Sequence, residues 1–137
     1  MITIAQNEYY SISYLPEKNR IYYKVTGYWD STEVVPEYLT HIKEVLKHVK
    51  RGYTMLVEVA DLVPHPDDVE TLRKQAQRMA VEAGMLVAAE IVPNDILSDI
   101  QMDNMTGQTS FTVGKFGSYA DAETWLDKMT QSTKKES

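Results

Sequence analysis

Two stretches decide the fold: YTMLVEVA at 53–60 and MLVAAEIV at 85–92. Each is an apolar, β-branched run of strand length, too short for a helix that buries a face. Between them, Pro66, Asp67 and Asp68 suit the start of a helix. Proline tolerates the first turn and carboxylates favour the positive end of the dipole. Val69, Leu72, Ala76, Met79, Ala80 and Ala83 then recur at helical spacing, and Gly84 ends the run. Strand, helix, strand in succession implies a crossover within a mostly parallel or mixed sheet.

Working outward, the same alternation continues on both sides. Upstream, Val34, Val35, Tyr38, Leu39, Ile42, Val45, Leu46 and Val49 mark a helix. Capping residues Asp30 to Glu33 precede it, Pro36 falls in its first turn and Gly52 follows it. Before that, runs 9–15 and 21–26 flank the turn-rich Pro16-Glu17-Lys18-Asn19-Arg20 and read as a β-hairpin. Alternation puts Tyr22 and Lys24 on one face of the sheet, Tyr23 and Val25 on the other. Downstream, Pro93-Asn94-Asp95 opens a short helix carrying Ile96, Leu97 and Ile100. Residues 109–113 alternate like a strand, and Ser118 caps a last helix with Ala122, Trp125, Leu126 and Met129 on one face. The expectation is a single α/β domain over 1–130, a mixed sheet with an N-terminal β-hairpin and about four helices. The polar stretch 131–137 reads as a disordered tail.

Composition fits that reading and excludes others. The 137 residues are 43% hydrophobic and 25% charged, ordinary globular usage. Cysteine is absent, which excludes disulfides, thiol catalysis and cysteine zinc sites. A net charge of −6 opposes binding to nucleic acid and to anionic membranes. Lys47, His48, Lys50 and Arg51 form the densest basic stretch, and closing a helix explains them. No apolar run approaches the ~20 residues of a spanning helix. The first ten residues lack a signal peptide's pattern, so a cytoplasmic protein without membrane insertion is expected.

Motifs for chemistry are sparse. There is no G-x-S-x-G, H-E-x-x-H or G-x-G-x-x-G pattern. Gly114-Lys115-Phe116-Gly117-Ser118 follows a strand and opens a helix, a context for anions, but a turn plus a cap explains it. His41 and His48 are two helical turns apart, roughly 10 Å, too far for one metal ion. His65 near Asp61, Asp67 and Asp68 is the place to look for a metal or catalytic site. The two aspartates at the helix start already have a structural role, and neither metal, cofactor nor enzyme activity is expected. Nine tyrosines are many for this length, and six of them, with Trp29, crowd the first strands. Core packing is the plain explanation, and an aromatic binding face the sharper one.

The closing FGSYADAETWL, with Phe116, Ala122, Trp125 and Leu126, resembles the end of the SpoIIAA-like family, which shares the STAS-domain fold. The passage from Gly27 to Thr32 is similar to that family's step from strand into helix. The resemblance covers roughly 9–129 and implies the fold more than the function. In STAS domains that antagonise anti-sigma factors, a serine at a helix start is phosphorylated. Here Asp67 or Asp68 stands near that position, with no hydroxyl residue, so no phosphoswitch is expected.

The function expected first is a non-enzymatic interaction module. It docks a protein partner, or a second copy as a homodimer, through Asp61, His65, Asp67 and Asp68. The alternative is a carrier of a small apolar or lipid-like ligand, in a cavity lined by Leu72, Ala76, Met79, Ala80, Ile96 and Ile100. Alanines 76, 80, 83, 88 and 89 leave room between helix and sheet. A well-formed cavity of ~300 Å³ or more favours the carrier.

Overall fold

The hairpin register carries the first part of the structure. In a computed structural model, which describes residues 1–26, 28–59, 66–92 and 112–136, β2 (Tyr10–Leu15) and β3 (Arg20–Val25) pair antiparallel, Tyr10 opposite Val25 and Leu15 opposite Arg20. Asn19 turns the chain with φ of 51°, a conformation that asparagine accepts more readily than most residues. A strand that the sequence reading left out, β1 (Ile2–Gln6), adds to the outer edge of β2 with an irregularity between Thr3 and Ala5. Its short, half-exposed ITIAQ has no strong alternation to announce it.

From β3 onward every pairing is parallel. β4 (Thr54–Val59), β5 (Val87–Ile91) and β6 (Thr112–Phe116) follow, so the six strands lie in chain order. The α/β class with a mixed sheet and an N-terminal hairpin is therefore what the chain adopts. Three α-helices are seen among the described residues, not about four. They are α1 (Tyr38–Leu46), α2 (Asp67–Glu82) and α3 (Tyr119–Glu136). The expected helix carrying Ile96, Leu97 and Ile100 lies outside the described residues.

Three local expectations need correction. The first helix does not begin at Val34. Thr32–Val34 forms a 3-10 turn capped by Ser31, and the α-helix starts only at Tyr38, beyond Pro36. Proline disfavours helical backbone in the residue before it, so the chain breaks there. Gly114, Lys115 and Phe116 belong to β6 and are not a loop. A Cβ on Gly114 would lie 2.8 Å from the Phe116 ring and 3.2 Å from Trp125. That glycine admits close packing within a strand. Finally, α3 continues to Glu136, through the stretch read as a disordered tail. Extending an existing helix fixes one residue per bond gained, so polar residues follow easily.

The two faces of the sheet are packed differently. Ile12, Ile21, Tyr23 and Val25 are buried on the face that α1 and α2 cover. α1 contributes Tyr38, Ile42 and Val45, and α2 contributes Val69, Ala76 and Ala80. Trp29 is fully buried here, its indole N–H donating to the Tyr9 carbonyl at 3.0 Å and its ring edge-on to Tyr38. Most of the tyrosines, with this tryptophan, are thus core. On the opposite face Ala122 and Leu126 of α3 are buried against Leu56, Val87 and Ala89, with Trp125 packed on Phe116. Among the described residues no helix is long and apolar enough to cross a membrane.

Candidate functional site

The small residues of α2 explain the most open feature of the core. Ala76 and Ala80 face Ala88 and Met55 of the sheet, and these side chains together do not fill the space between the layers. The result is a cleft of about 300 Å³ between the sheet and the two helices. Its sheet side is Ile21, Tyr23, Met55, Val57 and Ala88, and α1 supplies Tyr38, Ile42 and Val45. Polar residues gather where it meets solvent: Glu70, Arg73, Lys74 and Gln77 along α2, and Glu90 on β5. This volume lies at the low end of the range for small-molecule sites, and the lining has their usual character, apolar walls with a few polar groups.

The polar groups inside are specific. The Tyr23 and Tyr38 hydroxyls hydrogen-bond each other at 2.8 Å, both buried. Burial pushes the Tyr23 hydroxyl well above its ordinary pKa and Tyr38 adds to the shift, while the Arg73 charge opposes it. Burial likewise raises Tyr38, again with Arg73 pulling the other way. Both are neutral hydroxyls at neutral pH. The Arg73 guanidinium also lies 6.0 Å from the centroid of the Trp29 ring, at cation–π range. At the outer strand pair, Glu90 is held by Lys115 at 3.0 Å. That ion pair also occupies the lysine of the G-K-F-G-S segment.

Of the expected cavity residues, Ala76 and Ala80 line the cleft. Leu72 and Met79 are half-buried against the same core cluster without lining it. Ala89 faces α3 instead, because adjacent residues of a strand point to opposite faces. Ile96 and Ile100 lie outside the described residues, as do Asp61 and His65. Asp67 and Asp68 are exposed at the start of α2. The Asp68 carboxylate accepts a hydrogen bond from the Thr32 backbone N–H at 3.2 Å, tying α2 to the 3-10 turn. No group of three metal-ligating side chains exists among the described residues.

Sequence reading missed Arg73, Tyr23 and Tyr38 as site residues. A signal for Arg73 was present: it sits four residues after Val69 and three before Ala76, on the inward stripe of α2. Also missed was a charged cluster on the other face. Arg20, 1% exposed, donates from Nε to Thr54 Oγ1 at 2.8 Å, from Nη1 to Glu123 at 2.6 Å and from Nη2 to Asp127 at 3.0 Å. Lys18 reaches Glu123 at 3.0 Å. A groove of about 430 Å³ borders this cluster, but its Lys18, Arg20 and Asp127 are already engaged with protein partners. The apolar cleft is therefore the better ligand site. Comparison with protein-family models, curated proteins and solved structures found no match.

Proposed function

We propose that this chain is a non-enzymatic carrier or sensor of a small amphipathic molecule, held in the cleft between the sheet and helices α1 and α2. The observation that carries the reading is the cleft itself: about 300 Å³, apolar walls, a hydroxyl pair inside and charged groups where it opens. Unlike the groove beside Arg20, this cleft draws most of its walls from the apolar core, the lining expected of a small-molecule site. At ~30 Å³ per water-sized group, the space suits about ten non-hydrogen atoms. The proposed fold is the SpoIIAA-like, STAS-type arrangement. An initial strand pair, alternating helices and strands, and a closing helix with Trp125 and Leu126 on the sheet support that resemblance.

Docking of a protein partner through Asp67 and Asp68 has weaker support, since Asp68 is already bound to the 3-10 turn. Native mass spectrometry of freshly purified protein tests the carrier reading. Mass above that of the polypeptide, lost on denaturation, is the expected result. A bare polypeptide mass that stays bare after incubation with amphiphiles of eight to ten heavy atoms (about the capacity of the cleft) refutes it.

A further inference from the structure

The polar groups of the cleft are unevenly matched. Arg73 carries only donors, five N–H groups in a planar fork. Of the two hydroxyl protons of Tyr23 and Tyr38, one is used within the pair and the other is left to donate elsewhere. Among the described residues no carboxylate oxygen lies within 4.0 Å of the Arg73 guanidinium. Glu90, the acid on the sheet side of the cleft, is taken by Lys115. The site thus offers donors and positive charge at Arg73 and Lys74, set against Glu70, in a chain whose net charge is −6. The Trp29 ring lies 6.0 Å from the guanidinium, at the outer edge of cation–π range.

Resting on the carrier reading, we infer that the occupant is a monoanionic amphiphile, a carboxylic acid with a short apolar chain, whose carboxylate pairs with Arg73 beside the Tyr23–Tyr38 hydroxyls. Arg73 already donates toward both hydroxyl oxygens, and a carboxylate matches the guanidinium fork in shape and accepts from the N–H groups that those two oxygens leave over. One fork neutralises one charge, and Glu70 at the opening disfavours a dianion such as a phosphate monoester. The apolar tail fits along Ile42, Met55 and Ala80 toward the interior.

Isothermal titration of the whole chain with octanoate, 1-octanol, octylamine and octyl phosphate tests this. The expected order puts octanoate about tenfold or more ahead of each of the others. Arg73→Gln is expected to bring octanoate down to about the affinity of octanol, and Lys128→Gln, exposed on α3 and away from the cleft, to change octanoate binding by less than about twofold. Arg73→Lys, which keeps stem and charge, is expected to retain part of the preference and serves if the glutamine variant does not fold. Equal binding of octanol and octanoate, tighter binding of octylamine or octyl phosphate, or an unchanged octanoate affinity in both Arg73 variants overturns the head-group assignment and leaves the carrier reading standing. Absence of binding by all four probes overturns both.

Discussion

Replacing Arg20 with alanine is expected to cost the fold about 3 kcal/mol, the low end of what breaking a buried ion pair costs. The side chain is 1% exposed and each of its three nitrogens donates a hydrogen bond. The bond to Thr54 Oγ1 is fully buried and is worth about 1.5 kcal/mol, because the donor is charged. Glu123 is 24% exposed, and with partial screening its pairing contributes about 1 kcal/mol. Asp127 is 43% exposed and adds at most about 0.5 kcal/mol. The buried stem of Arg20 contributes packing besides. The loss stays near the bottom of the range because Glu123 keeps Lys18 and access to water. Urea unfolding followed by circular dichroism reads the effect. At a slope of about 2 kcal/mol/M, the midpoint falls by about 1.5 M. Glu123→Gln is expected to lose about a third of that, and Asp127→Asn close to nothing. An Arg20→Ala midpoint within about 0.5 M of wild type refutes the reasoning, as does an Asp127→Asn variant as damaged as Glu123→Gln.

Acid provides an independent check on the same cluster. Burial pushes the Glu123 carboxyl up, but the Tyr22 hydroxyl, Lys18 and Arg20 together hold it below its ordinary value. Its stabilisation is therefore complete above the ordinary glutamate range and is lost as pH falls through the lowered folded value. The stability difference between wild type and Glu123→Gln is expected to be constant above about pH 5 and to close below about pH 4, and a gap unchanged at about pH 2 contradicts this. Two glycines with positive φ separate backbone strain from crowding. Gly52→Ala, with open space at φ of 89°, is expected to cost about 1 kcal/mol. Gly84→Ala, with φ of 98° and its new Cβ 3.0–3.1 Å from Arg51, is expected to cost about 2 kcal/mol or more, and thermal unfolding reporting the reverse order overturns the comparison.

The hairpin was legible in the sequence because one face of its strands is more deeply buried than the other. Tyr10 to Leu15 alternates buried and half-buried along its whole length, and the reading of a hairpin follows directly. The continuous runs of β4 and β5 were legible for the opposite reason, since helices cover both faces. β1 was illegible because an edge strand with one buried residue needs no pattern. β6 was displaced because Gly114 looks like a turn, and the Phe116–Trp125 contact that demands it is made only in three dimensions. Half of the cleft was readable from the alanines of α2. Its polar end was not, because Tyr23 and Tyr38 lie 15 positions apart on different elements and Arg73 looks like any surface arginine. Arg20 reads in the sequence as a turn residue, because its acidic partners are 103 and 107 positions away.

That separation has a consequence for synthesis. Because the strands lie in chain order, a chain leaving the ribosome always finds its next strand's partner already made. The sheet can grow one strand at a time, each crossover closing over finished structure. Arg20, however, must wait for Glu123, a delay of roughly 5–20 s at ordinary translation rates. Through that interval its charge stands on the same sheet face as the apolar Leu56 and Ala89, a face that α3 has yet to cover. A growing chain therefore keeps a hydrated cation on its unfinished side, a natural deterrent to that surface sticking to a neighbouring nascent chain. Arrival of the last helix then both neutralises the cation and seals the face, so charge pairing and completion of the sheet become one event.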